Sequence, residues 1–99
     1  MSPSERPLPR PFSYPWGRGH IAEEVSYTGR YHEPAIQLLE YDEGEVAGRW
    51  AVRFCFYNLE GRFQRSPLML DEDGIDGLRA ALAEAPRLRS LLRRLVAED

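Results

Sequence analysis

Sulfur chemistry, lysine and long apolar runs are what this chain lacks. It has one cysteine, Cys55, so no internal disulfide can form, and the thiol lies inside an apolar strand pattern where cysteine acts as a small hydrophobe. The two histidines, His20 and His32, share no ligand-like spacing with it. Structural zinc patterns are therefore set aside, and no metal or cofactor is expected. No nucleophile stands beside a histidine and no glycine-rich phosphate loop follows a strand, so the chain does not read as an enzyme. With no window of about 18 apolar residues and no basic-then-apolar leader, the expectation is a cytoplasmic protein without a membrane partner. All thirteen cations are arginine, each a planar fork of donors rather than a point charge.

What is present is the composition of an ordinary globular domain, 42% apolar and 29% charged over 99 residues. A chain of this length buries roughly 65% of its extended surface, enough for one sheet and one layer of helices. The net charge of -3 is unevenly spread. Residues 21–45 carry -6 and residues 71–85 carry -4, whereas residues 46–70 carry +3. Residues 1–19 hold five prolines and two glycines and read as an extended arm, with no Pro-x-x-Pro spacing in it. Residues 20–99 then form a single domain.

Within that domain the pattern has period two. "HIAEEVSYTG" is a weak strand, with Ile21, Val25 and Tyr27 on one parity. "EPAIQLLEYDEG" is a better one and closes on an acidic turn. "GRWAVRFCFYN" is the clearest, with Trp50, Val52, Phe54 and Phe56 on one face and Arg49, Arg53, Cys55 and Tyr57 on the other. The even face reads as core. After the turn "NLEG", "RFQRSPLML" returns, and Phe63 falls on the opposite parity to Leu68 and Leu70, which calls for a bulge near Ser66–Pro67. A helix capped by Asp71 or Asp73 follows, with Ile75, Leu78, Leu82 and Ala85 as its stripe. Pro86 either kinks it or opens a second helix, where Leu88, Leu91, Leu92, Leu95 and Val96 form a clean apolar stripe. The expected fold class is α+β: a four-stranded antiparallel β-sheet followed by a C-terminal helix or kinked helix pair packed on one face (ββββα), with an extended N-terminal arm.

A sheet covered on one face leaves the other open. On this parity the open face carries Arg49, Arg53 and Tyr57, joined by Arg62 and Arg65. Guanidinium groups that take phosphates and rings that stack bases are the parts needed to hold single-stranded nucleic acid. The same parts also suit cross-strand pairing or a dimer interface.

The hairpin resembles the fold shared by the transcriptional coactivator positive cofactor four, the purine-rich-element-binding (PUR) repeats and the plant Whirly proteins. In PUR repeats a strand of alternating aromatics reaches Asn, turns through Gly and resumes with a basic residue and Phe; Tyr57, Asn58, Gly61, Arg62 and Phe63 stand in those places. Leu68, Leu70, Asp71 and "LRSLLRRL" are similar to the coactivator's last strand, cap and basic helical end. The resemblance covers residues 46–97. It implies single-stranded DNA or RNA bound on the exposed sheet face by a homodimer, with Leu88, Leu91, Leu92 and Leu95 at the interface. The acidic early strands, from Glu23 to Glu45, depart from that pattern. A protein-interaction or dimerisation domain that binds no nucleic acid is the alternative.

Overall fold

The computed structural model describes residues 6–64 and 67–97. Five strands form one antiparallel meander in which each strand pairs with its neighbour in sequence. They are β1 (Arg10–Tyr14), β2 (Gly17–Ser26), β3 (Glu33–Gly44), β4 (Trp50–Tyr57) and β5 (Leu68–Asp71). Two helices follow, α1 (Glu72–Ala81) and α2 (Pro86–Val96), joined by a 3-10 turn at Leu82–Glu84. The α+β class and the antiparallel sheet are as expected, but the strands number five.

The extra strand comes from the proline-rich segment. Residues 10–19 are not an arm outside the domain: β1 pairs with β2 from Arg10↔Ile21 to Tyr14↔Gly17. Pro11 is tolerated because β1 is an edge strand, where a missing N–H can face solvent. Gly17 and Gly19 are needed for close approach, since a Cβ on Gly19 would stand 1.9 Å from the Glu40 carbonyl oxygen.

Between β2 and β3 the register shifts at Ile21/Glu23. This bulge turns Ile21 and Glu24 to the same face and sends Val25 to the other, which is why simple alternation misplaces Val25 and Tyr27 beside Ile21. The pairing of β3 with β4 is regular, from Glu33↔Tyr57 to Glu40↔Trp50. The turn after β4 places Gly61 at φ 88°, and the Asn58 side-chain oxygen accepts the N–H groups of Glu60 at 3.0 Å and Arg62 at 2.9 Å. Asp71 is the helix cap: its Oδ1 accepts the Gly74 N–H at 2.7 Å. Pro86 opens α2 rather than kinking α1.

The core lies on the face opposite to the one the pattern suggests. Along β4, Ala51, Arg53, Cys55 and Tyr57 are 3–8% exposed, whereas Trp50, Phe54 and Phe56 are 51%, 36% and 42% exposed. Period two separates the faces of a strand without saying which is inside. The odd face is inside because the sheet curls over it. In a flat sheet β1 and β4 would stand about 14 Å apart, yet Arg53 donates to the Tyr14 hydroxyl at 2.9 Å and Arg10 to the Tyr57 hydroxyl at 3.2 Å. Phe12, Ile21, Leu39, Tyr41 and Ala51 pack together on this inner face. Burying each large side chain there contributes roughly 1.5–3 kcal/mol.

Phe63 joins the inner face, with its ring 5.6 Å from that of Tyr57, while Leu68 and Leu70 pair opposite Phe54 and Val52 on the outer one. The expected bulge at Ser66–Pro67 involves a residue outside the described ones. The helices carry the predicted apolar stripes, but neither has a buried residue.

Candidate functional site

The sequence-predicted residues divide between two environments. Arg53 and Tyr57 are inside, at the centre of a polar network that crosses β1 to β4. Arg53 Nε donates to Gln37 Oε1 at 2.6 Å, and its guanidinium lies 4.9 Å from the Phe63 ring centre. The Tyr57 hydroxyl donates to Glu24 Oε2 at 3.1 Å and accepts from Gln37 Nε2 at 3.0 Å. Arg10 Nη2 donates to Glu24 Oε2 at 3.1 Å, while its Nη1 donates to the Pro7 carbonyl oxygen and stands 3.1 Å from Glu24 Oε1 as a charge contact. Burial pushes the Tyr57 hydroxyl pKa up, and the Glu24 charge raises it further. For Glu24 burial acts upward too, but the bonds from Arg10 and Gln37 outweigh it and hold the carboxyl below its ordinary value.

At the end of this network Arg6 lies 3.4 Å above the Tyr57 ring centre and 3.2 Å from the Glu33 carboxylate. Glu33 is fully buried, and Arg6 is its cationic partner. The Cys55 thiol is buried beside Ala35 and Tyr57, which raises its pKa. The inner face is thus closed by its own side chains, and the expectation that Arg53 and Tyr57 stand on an open surface is corrected.

Arg49 and Arg62 are exposed. Arg49 keeps a loose contact with Asp73 at 3.6 Å. Arg65 lies outside the described residues. Leu88, Leu91, Leu92 and Leu95 share α2 and are 39–60% exposed. Sequence reasoning missed Glu24, Gln37, Arg10 and Tyr14. Gln37 left a signal, a lone amide inside the apolar run "AIQLL" that needs a buried partner. Tyr14 left one in its alternation with Phe12 and Trp16, which reads as rings pinning the arm onto the domain or a partner subunit; Arg10 left none.

The outer face is the open one. Pairing aligns its side chains in rows across the strands: His20, Glu40 and Trp50; Glu23, Leu38, Val52 and Leu70; Val25, Ile36, Phe54 and Leu68. The acids gather on the β2 and β3 side, where His20 contacts Asp42 at 2.8 Å and Glu40 at 3.4 Å. The apolar side chains gather toward β4 and β5. Near the end of α2, Leu95 faces Val25, Tyr27, Ile36, Phe54 and Phe56 across an apolar groove of about 530 Å³. Among the described residues no helix is long and apolar enough to cross a membrane, and no three His, Cys, Asp or Glu side chains cluster to hold a metal ion.

No protein-family model, curated protein or solved structure matches this chain.

Proposed function

We propose that this chain is a protein-interaction domain whose working surface is the outer sheet face together with the leucine stripe of α2. The observation that carries this reading is the simultaneous exposure of large apolar side chains on both elements, from Trp50, Phe54 and Phe56 on the sheet to Leu88, Leu91 and Leu95 on the helix. Trp50, Phe54, Phe56 and Tyr27 alone leave roughly 400 Å² of aromatic surface in water, taking 150–250 Å² for each whole side chain. That is already the largest patch an ordinary monomer shows. The α2 stripe, Val25 and Leu68 bring it to about the 800 Å² that each partner of a standard interface buries.

The inner polar network has a structural role in this reading, holding the curl of the sheet that carries the outer face. Nucleic acid, the expectation that came with the resemblance, finds its support in Arg49 and Arg62, since Arg53 and Tyr57 are engaged internally.

Two aspartate substitutions test the proposal, Phe54→Asp on the sheet and Leu91→Asp on the helix. Each is expected to reduce self-association, or the binding of anilinonaphthalene sulfonate to whatever surface remains free. Leu91→Asp, on the exposed stripe, should change the monomer's unfolding free energy by no more than about 0.5 kcal/mol, whereas Phe54, 36% exposed on an inner strand, also gives up packing within its own sheet. A loss of several kcal/mol in Leu91→Asp would overturn the proposal, because it would mean that helix and sheet cover each other within one chain. Fluorescence anisotropy with a single-stranded oligonucleotide of about 20 nucleotides supplies the other arm. Binding that falls steeply with salt and weakens in Arg62→Ala would move the function to nucleic acid.

A further inference from the structure

We infer that the partner of this surface is a second copy of the chain, in a two-fold dimer where α2 of each copy lies across the outer sheet face of the other. The inference rests on the interaction-domain reading and adds to it the identity of the partner and the mode of contact.

A two-fold interface must be self-complementary, so one chain has to carry both halves of the match. This chain does. α2 presents an apolar stripe flanked by Arg87, Arg89, Arg93 and Arg94, and it contains no acidic residue. The outer sheet face presents apolar rows bordered by Glu23, Glu40 and Asp42, with His20 between the last two. Arginines border the helix and carboxylates border the sheet, each beside leucines or aromatics at comparable exposure. A different protein as partner would require only one of these surfaces to be shaped for contact.

The dimensions agree as well. A helix of 11 residues is about 16 Å long at its rise per residue, and the outer face spans about 14 Å from β2 to β5 at the usual strand spacing. Laid across the strands, the second copy's α2 brings its leucines to Leu38, Val52 and Phe54 and its arginines to the acids on β2 and β3, taking the place over the sheet where Leu95 of the same chain faces Phe54. Charge at the rim fixes orientation, and the apolar rows supply the burial.

Light scattering from micromolar concentrations upward is expected to give about twice the chain mass of 11.4 kDa. Two charge-reversed variants then test the arrangement, one with Arg93→Glu and Arg94→Glu, the other with Glu23→Arg and Glu40→Arg. Each alone is expected to dissociate at least tenfold more readily than the unmodified chain. Mixed in equal amounts they should recover the dimer, because every helix then meets a sheet of opposite charge. Recovery also shows that both variants fold.

Two weakened variants that do not rescue each other would overturn helix-on-sheet docking in favour of contact between like elements. A monomer at about 100 µM would overturn the second copy as partner. If that monomer still binds the dye and Leu91→Asp reduces the binding, the outer face remains an interaction surface for another protein. If no dye is bound, both readings fall.

Discussion

The inner and outer faces of this sheet are built on the same strands and differ in how each is completed. The inner face holds the residues that look most polar in sequence, Arg53, Gln37, Glu24, Arg10 and Tyr57, yet these bond to one another and are largely withdrawn from water, with Glu24 Oε1 left to a charge contact with Arg10 and no hydrogen bond. The outer face holds the aromatics that look most like core, and Trp50 and Phe56 stand more than 40% exposed. Burial in a domain of this size follows which face the sheet can close upon, and a buried polar group is acceptable once its hydrogen bonds are made.

The largest expected break in this comparison is Arg10→Ala. It leaves the Glu24 carboxylate, whose side chain is 2% exposed, without its counter-charge in the interior, at a cost of about 3–5 kcal/mol. Chemical denaturation should show this as a shift in midpoint. A loss below about 1 kcal/mol would mean that water reaches Glu24 and that the inner face is open.

Tyr57→Phe is the next step down. It removes a hydroxyl bonded to Glu24, Gln37 and Arg10 and should cost about 1–3 kcal/mol in thermal or chemical unfolding. An unchanged midpoint would place the Tyr57 hydroxyl in solvent, as an outward stacking residue would require.

Acid sharpens the comparison further. The Glu24 pKa is lowered on folding, so its contribution is fully present above the unfolded carboxylate value of about 4.3 and is lost as pH falls through the folded value. Unfolding midpoints measured between about pH 6 and pH 3 should fall less steeply for Glu24→Gln than for the unmodified chain; parallel curves would rule out this linkage.

The smallest effect belongs to the outer rim. The His20 pKa is raised, first by its hydrogen bond to Asp42, so its contribution is present below the unfolded histidine value of about 6.5 and fades as pH rises through the folded value. His20 is solvated, so the change is expected to be slight and to shrink in Asp42→Asn, where only Glu40 still faces the ring. Proton resonances of the ring followed through pH would check it. A titration midpoint that does not move in that variant would count against the contact.

Much of the fold was legible. The third strand, "EPAIQLLEYDEG", has the bounds read from its alternation, the Gly61 turn takes positive φ, and Asp71 is the cap. Each rests on contacts within a few residues. The candidate surface was less legible because it depends on β1. With Arg10, Phe12 and Tyr14 assigned to an arm, nothing remained to cover Arg53 and Tyr57, and the two faces of β4 were exchanged.

The sequence by itself determined the order of elements from β2 onward, the Gly61 turn, the Asp71 cap and the two faces of β3 and β4, because these follow from local sterics and from a side-chain period of two. Only the tertiary structure decided which face is inside. That choice depends on the curl that brings Tyr14 to Arg53 and Arg10 to Tyr57, contacts between residues dozens of positions apart that no local pattern encodes. The same curl leaves Trp50, Phe54 and Phe56 outside beside a leucine-lined helix, and so gives the chain the surface on which its proposed function rests.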